Sequence, residues 1–189
     1  MPKHTRLYVF FGLIASGKST LAEAWAKSIG ARYYNSDRVR KELAGLVANA
    51  PQQASFAAGI YSGEFSRKTY DALLSRADVD LGGKHPVVLD GSYQSRAERE
   101  RVSALARRHG VKLIFVLCRC PEALMKERMA LRAQDPTAVS DGRWEIYLKQ
   151  KERFEAPDEL APAELATIDT EAPVATLLSR LRALLEKDQ

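Results

Sequence analysis

Cysteine and histidine are scarce in this chain, which narrows the kinds of site that it can build. Two cysteines and three histidines occur in 189 residues. Cys118 and Cys120 are too few for a disulfide framework, and their spacing lacks the second ligand pair that a zinc site of this type needs. We therefore expect neither disulfides nor a metal site built from cysteine and histidine.

Long hydrophobic runs are also missing. No stretch approaches the roughly 18 apolar residues that cross a bilayer, and the first residues, MPKHTRLYVFFG, lack the length and cleavage site of a secretory signal peptide. We expect a cytoplasmic protein that does not enter the membrane. The composition, 46% apolar and 28% charged, is typical of a folded globular chain.

The charge balance is only mildly one-sided. The chain carries 29 Lys and Arg against 24 Asp and Glu, a formal charge of +5. This excess favours ligands that bear phosphate, but it does not by itself indicate nucleic-acid binding. Residues 96–119 hold much of the excess, and two interpretations stay open for them: a solvated helix face or an anion-binding surface.

Short apolar runs alternate with amphipathic helical patterns along the whole chain. The predicted strands are 7–11, 32–35, 86–90, 111–118 and 164–169; the predicted helices are 19–29, 62–79, 95–109, 121–132, 140–154 and 173–187. Such alternation is typical of a parallel sheet with helices on both faces. We expect one domain over residues 1–189, a three-layer α/β/α sandwich around about five strands. Residues 46–61 are irregular and are predicted to form a loop or a broken helix near an open cleft.

The segment GLIASGKS, residues 12–19, matches the pattern G-x-x-x-x-G-K-[ST] at every position and lies between a predicted strand and a predicted helix. In such a loop the glycines allow a tight turn, and backbone N–H groups at the helix start bind phosphate. The lysine reaches the β- and γ-phosphates, and the serine hydroxyl ligates Mg²⁺. We predict a nucleoside-triphosphate site in this P-loop. Its predicted residues are Gly12, Ala15, Ser16, Gly17, Lys18, Ser19 and Thr20, with Ser19 as the metal ligand.

Other nucleotide-binding classes fit the sequence less well. A dinucleotide fingerprint needs three spaced glycines and no lysine. No N-K-x-D run of guanine-specific switches and no LSGGQ run of transporters is present, and Asp90 at the end of a predicted strand is followed by glycine rather than glutamate. Hydrolysis of the kind used by motor proteins is therefore disfavoured, and phosphoryl transfer remains.

A second polar motif follows the second predicted strand, in the segment NSDRVRKEL. Ser36 is a suitable N-cap, which would put Asp37 in the first helical turn and Arg40 on the same face. A carboxylate at the carboxyl end of a parallel strand faces the crevice where such sheets bind ligands. Phosphoryl transfer to an alcohol needs a group that takes the hydroxyl proton, so we interpret Asp37 as that base and Arg40 as an acceptor contact. The alternative is an ordinary helix start with a solvated arginine.

Two arginines, Arg128 and Arg132, lie four residues apart in the segment CPEALMKERMALR. This spacing puts both on one helical face, where they could close over a triphosphate and neutralise charge in the transition state. Residues 134–136, Gln-Asp-Pro, interrupt the helical pattern and could act as a hinge. We therefore expect a small helical lid over about 121–154. The alternative is that both are surface charges paired with nearby glutamates.

Four segments in this order, GLIASGKST, SDRVRKEL, VVLDGSYQSRAER and CRCPEALMKERMALR, resemble the small P-loop kinases of the nucleoside-monophosphate-kinase-like group. The resemblance covers most of the chain. It is closest to the kinase domain of polynucleotide kinases and to predicted kinases fused to aminoglycoside-phosphotransferase-like domains. It implies ATP and Mg²⁺ as cofactors.

The resemblance also implies roles for individual residues. It implies a general base at Asp37, with Arg40 on the acceptor side, and lid arginines that contact the nucleotide, Arg128 among them. The segment that begins at Asp90 and includes Arg96 would line the acceptor cleft, and Asp90 itself would lie either in that cleft or close to the metal. The turn at 169–173 would lie near the adenine.

The acceptor stays open at this point. A polynucleotide 5′-hydroxyl fits the resemblance, whereas residues 46–61 lack the aromatic-rich basic surface that tracks a nucleic-acid strand. Related kinases act on small metabolites or antibiotics through an aspartate at a similar place. A third interpretation is a regulatory module that binds ATP and hydrolyses it slowly or not at all.

Overall fold

The computed structural model of the protein describes residues 5–46, 62–134 and 144–186. Five parallel strands form one sheet in the order β2-β3-β1-β4-β5. They are β1 Arg6–Phe11, β2 Arg32–Asn35, β3 Val87–Asp90, β4 Lys112–Arg119 and β5 Leu165–Asp169. The predicted parallel sheet of about five strands is confirmed. The irregular segment 46–61 lies, except for Leu46, outside the described residues.

Seven α-helices and one 3₁₀ turn are found in the described ranges. They are α1 Lys18–Ile29, α2 Ser36–Leu43, α3 Gly63–Gly82, α4 Arg96–His109, α5 Glu122–Ala133, α6 Trp144–Arg153 and α7 Val174–Glu186, with the turn at Pro162–Glu164. The helix predicted at 140–154 is observed from Trp144 onward, and residues 140–143 lie outside the described residues. No described helix is long and apolar enough to cross a bilayer.

The sheet is covered on both faces, which confirms the three-layer architecture. Alternate residues of β1 point to opposite faces, as the strand period requires: Leu7, Val9 and Phe11 belong to one buried cluster, and Tyr8 and Phe10 to another. The first cluster includes residues of α3 and α4, and the second includes residues of α1 and α7. Because every strand runs in the same direction, the segments that follow β1, β2 and β3 emerge at one edge of the sheet.

The helix cap after β2 differs from the expectation. Ser36 is the first helical residue of α2 rather than its cap, and Asn35 is the N-cap, with its side-chain oxygen accepting from Arg38 N at 3.0 Å. Both residue types cap helices well, but Asn35 still pairs with Asp90 in the sheet and so marks the point where strand becomes helix. Asp37 lies in the first turn of α2, as predicted.

Candidate functional site

The P-loop joins β1 to α1, and at two of its positions the backbone conformation and the close neighbours require glycine. Gly12 and Gly17 have φ values of 136° and 82°. A Cβ atom on Gly12 would lie 2.5 Å from the carbonyl oxygen of Cys118, and one on Gly17 would lie 2.9 Å from Thr170 Oγ1. Helix α1 begins directly after Gly17 without a side-chain cap. Its first N–H groups are therefore open to an anion, which the positive end of the helix dipole also favours.

We expect the Gly12→Ala variant to lose nucleotide binding and about 2 kcal/mol or more of stability, because the new methyl group meets a backbone carbonyl that cannot rotate away. Gly30→Ala is the matched control, since Gly30 also has a positive φ, 66°, but has open space around its Cα. The control should lose about 1 kcal/mol and keep its ATP affinity in calorimetric titration. Equal losses of affinity in both variants would contradict this account of the loop.

Lys18 and Asp90 lie close enough to interact across the mouth of this loop. The Lys18 ammonium group donates to the carbonyl oxygen of Leu13 at 3.3 Å. Burial raises the pKa of the fully buried Asp90 carboxyl, and the charge of Lys18 opposes that shift. The charge of the P-loop ammonium thus acts on the carboxylate at the end of β3.

The surroundings of Asp90 fit a divalent cation. Its Oδ2 atom accepts from Tyr33 Oη at 2.7 Å and from Asn35 Nδ2 at 2.5 Å, whereas its Oδ1 atom is buried and has no hydrogen-bond partner among the described residues. The Ser19 hydroxyl is near enough to lower the pKa of the Asp90 carboxyl. A carboxylate oxygen and a serine hydroxyl at the start of α1 are the oxygen donors that Mg²⁺ takes in P-loop proteins.

Asp37 and Arg40 form one pair on α2. Arg40 Nη1 donates to Asp37 Oδ1 at 3.0 Å, and the arginine side chain is buried while the carboxylate is a quarter exposed. The structure therefore brings together these two predicted site residues. The pairing holds the carboxylate on the helix face beside the carboxyl ends of the strands.

The two lid arginines occupy different surroundings. Arg128 donates to the carbonyl oxygens of Ala15 and Thr170, at 3.3 and 2.6 Å, and to Thr170 Oγ1 at 3.1 Å. It therefore ties α5 to the P-loop and to the turn after β5. The Arg132 guanidinium is partly buried, which lowers its pKa together with the charge of Arg128, while the charges of Asp37 and Asp90 raise it. Arg132 thus lies within electrostatic reach of both site carboxylates.

A side chain of α6 contacts the P-loop backbone directly. Gln150 Oε1 accepts from Ile14 N at 2.8 Å, and Tyr147 of the same helix packs with Ile14 and Ala15 in a small apolar cluster. Sequence reasoning did not identify Gln150, because its partner lies 136 positions away in the chain. Helices α5 and α6 thus both contact the P-loop.

We expect the Gln150→Glu variant to bind ATP about tenfold more weakly, because a carboxylate there adds negative charge beside a loop that holds phosphates. The Gln150→Ala variant is the matched comparison, since it removes one hydrogen bond of about 1 kcal/mol without adding charge. Calorimetric titration with a non-hydrolysable ATP analogue separates the two. ATP affinity in Gln150→Glu as high as in Gln150→Ala would show that Gln150 lies away from the phosphates.

Arg96 is not brought together with the other predicted site residues. It lies in the first turn of α4, its side chain is 62% exposed, and it pairs with Glu100. Three positions later, Arg99 is fully buried and donates to the carbonyl oxygen of Tyr93 and to the carboxylate of Glu159. The buried arginine of this helix therefore supports the loop after β3, where Tyr93 has a φ of 39°.

Comparison with known proteins supports the fold seen here. A family model described as an AAA domain matches residues 7–157. Uncharacterised proteins of Mycobacterium tuberculosis and Mycobacterium bovis are each 30% identical to the chain over 130 residues, 68% of this chain and 26% of their own length. The chain thus spans about a quarter of the length of the curated relatives that it matches.

Three solved structures superpose over almost the whole chain. A gluconokinase from Sinorhizobium meliloti is 21% identical with a TM-score of 0.64, covering 97% of this chain and 92% of its own. An APS kinase from Mycobacterium tuberculosis, solved with AMPPNP and APS, is 18% identical with a TM-score of 0.68 and coverages of 98% and 99%. A shikimate kinase from Aquifex aeolicus is 15% identical with a TM-score of 0.62 and coverages of 97% and 98%. At these identities the matches establish only the fold, which the chain shares with these three kinases.

Proposed function

Because the chain belongs to the family described as an AAA domain and has the fold of P-loop kinases, we propose that it transfers the γ-phosphate of ATP to a hydroxyl group of a small molecule. One observation carries the proposal. Asp90 ends β3 with a buried oxygen that has no described hydrogen-bond partner, and its partner in the sheet is Asn35, the cap of the helix that carries the Asp37–Arg40 ion pair. Asn35 Nδ2 also lies 3.5 Å from Ser19 Oγ of the P-loop helix, so both carboxylates lie at the end of the sheet that carries the P-loop. The proposed unit is a single kinase domain over 1–189 with a lid at about 121–154.

In this proposal the P-loop binds the triphosphate. The open N–H groups at the start of α1 and the turn at 12–17 hold the β- and γ-phosphates. Lys18 gives up its contact with the Leu13 carbonyl and bridges phosphate oxygens instead. Arg128 already contacts the turn at Thr170, where it is suited to the adenine side, and Arg132 is suited to the γ-phosphate.

Ser19 and Asp90 would hold Mg²⁺, which when bound offsets the negative charge of the phosphates. The unpartnered Oδ1 atom of Asp90 is the observation in favour of this role. The sequence leaves two places open for Asp90, the acceptor cleft and the surroundings of the metal, and its interactions with Ser19 and Lys18 favour the metal side.

Asp37 would act as the general base. As the acceptor oxygen attacks the γ-phosphorus, its proton passes to the Asp37 carboxylate, the bond from phosphorus to the β-phosphate oxygen breaks, and ADP leaves. Arg40 holds the Asp37 carboxylate through its ion pair and presents a cation next to the acceptor. Arg132 offsets the charge that develops on the transferred group.

The proposal favours a small-molecule acceptor over a polynucleotide. Structures of a gluconokinase and of a shikimate kinase superpose on the chain, and the acceptors in these names are small molecules. The likeness to polynucleotide kinases keeps a 5′-hydroxyl oligonucleotide as the second acceptor to test, with the steep salt dependence that phosphate contacts would impose.

The experiment is to measure ADP formation with Mg²⁺ and ATP alone, with a pool of sugars, sugar acids and aminoglycosides, and with a 5′-hydroxyl oligonucleotide. We expect ADP formation to rise at least about tenfold only with the small-molecule pool. A rise only with the oligonucleotide would show that the acceptor is a polynucleotide 5′-hydroxyl and not a small molecule. ATP binding without stimulation by any acceptor would favour the regulatory module.

A further inference from the structure

One side chain at the end of β2 links the two carboxylates to which the proposed function gives roles. Asn35 Oδ1 accepts from Arg38 N and caps α2, the helix that carries Asp37. Its Nδ2 atom donates to Asp90 Oδ2 at 2.5 Å and lies 3.5 Å from Ser19 Oγ. The two ends of one amide therefore contact the helix of the proposed base and the carboxylate of the proposed metal site.

The sheet register explains why this amide reaches Asp90. Asn35 and Asp90 are direct partners on the neighbouring parallel strands β2 and β3. Tyr33, two residues earlier, lies on the same face of β2 as Asn35, as the strand period requires, and its hydroxyl donates to the same Asp90 oxygen at 2.7 Å. Tyr34 lies on the other face and donates to Asp80 of α3.

Both donors to Asp90 Oδ2 are neutral, so they add no positive charge that would repel a bound cation. Two hydrogen bonds on one oxygen fix the rotation of the carboxylate and leave Oδ1 as the oxygen available to a ligand. A lysine or arginine in their place would hold the carboxylate equally well but would repel Mg²⁺. Neutral donors of this kind orient metal-binding carboxylates without competing for their charge.

We propose that Asn35 is a positioning residue that aims Asp90 Oδ1 at Mg²⁺ and fixes the start of helix α2 relative to it. The inference rests on the proposed function, because it takes Asp90 as the metal carboxylate and Asp37 as the base. Asn35 does not contact the reacting atoms. It acts through Asp90 and through helix α2, which carries Asp37. Tyr33 supports the metal half of this role alone.

The substitutions separate the two ends of the amide. Asn35→Ser keeps a good helix cap and removes the donor to Asp90, whereas Asn35→Ala removes both. Tyr33→Phe removes the other donor to the same oxygen. Tyr34→Phe is the matched control, since it removes a hydroxyl from the next residue of the strand, on the opposite face.

The measurement is the affinity for AMPPNP by calorimetry, once with excess Mg²⁺ and once with EDTA, together with Tm for each variant. The quantity of interest is the Mg²⁺-dependent gain in affinity, which does not depend on catalysis. We expect this gain to fall about tenfold in Asn35→Ser and Tyr33→Phe, to stay at the wild-type value in Tyr34→Phe, and the affinity in EDTA to stay unchanged in all three. Asn35→Ala should show the same loss of the gain with a lower Tm than Asn35→Ser.

The outcomes separate this inference from the function on which it rests. If the wild type gains affinity with Mg²⁺ and Asn35→Ser keeps the full gain, the inference is overturned and the proposed function stands. A lower Tm with an unchanged gain would also overturn it, because Asn35 would then act only as a helix cap. If the wild type itself gains nothing from Mg²⁺, the proposed metal site fails and the inference fails with it.

Discussion

Lys18→Ala is expected to slow phosphoryl transfer by about a thousandfold. The ammonium group is the P-loop cation placed to meet the β- and γ-phosphates, and loss of one preorganised donor in a phosphoryl-transfer site costs on this order. The hydrogen bond described for this ammonium is the one to Leu13 O. The substitution removes that hydrogen bond, worth about 1 kcal/mol, and the charge that opposes the raised pKa of Asp90, so the variant should fold with a lower Tm.

The measurement is the rate of ADP formation at saturating ATP and acceptor, with Tm as the check on folding. Lys27→Ala is the matched control: Lys27 is a lysine of the same helix, exposed and in its last turn. The control should keep the wild-type rate. A Lys18→Ala rate within about tenfold of wild type would mean that the triphosphate is not held by this loop.

Asp37→Asn is expected to leave ATP affinity unchanged and to slow transfer by about a hundredfold to ten-thousandfold, the range of general-base catalysis. The amide has the size of the carboxylate but cannot take the acceptor proton. It also weakens the ion pair with Arg40, so the Michaelis constant for the acceptor should rise. The effect on nucleotide binding should be small, because the described contacts of Asp37 are with Arg40 on α2 and not with the P-loop.

Asp71→Asn is the control for Asp37→Asn, since Asp71 is half exposed and pairs with an arginine, Arg101, on a neighbouring helix. It should change neither ATP affinity nor rate. Transfer at the normal rate in Asp37→Asn would exclude Asp37 as the base. A parallel loss of ATP affinity would mean that Asp37 serves nucleotide binding instead.

The sequence predicted those parts of the molecule that depend on local pattern. The apolar runs predicted the strands, and the helical periods predicted the helices. The P-loop pattern predicted the loop between β1 and α1, because its glycines and its lysine are needed at fixed positions relative to the strand and the helix. Asp37 was expected in the first turn of a helix after β2 and is found there. Each of these features depends on residues within about ten positions of one another.

The parts that were missed depend on contacts between distant segments. Asn35 and Ser36 are equally good caps, and the choice between them follows from the pairing of Asn35 with Asp90 on β3, which no local pattern encodes. Arg96 and Arg99 share the start of α4, but only Arg99 meets Glu159, 60 positions away. Gln150 reaches Ile14 across 136 positions. The local sequence does indicate Asn35 as a cap in one respect: it is an asparagine at the end of a predicted strand, directly before Ser36 and Asp37.

The central claim is that the γ-phosphate of ATP ends on a hydroxyl group, and the most direct measurement follows that phosphate. The wild type and Asp37→Asn are incubated with Mg²⁺, γ-labelled ATP and the acceptor pool, and the label is separated into ATP, inorganic phosphate and acceptor. We expect label on a small-molecule acceptor with the wild type. With Asp37→Asn, the label on that acceptor should fall by about a hundredfold or more. Label that stays in ATP or appears only as inorganic phosphate with the wild type, whatever the acceptor, would contradict it.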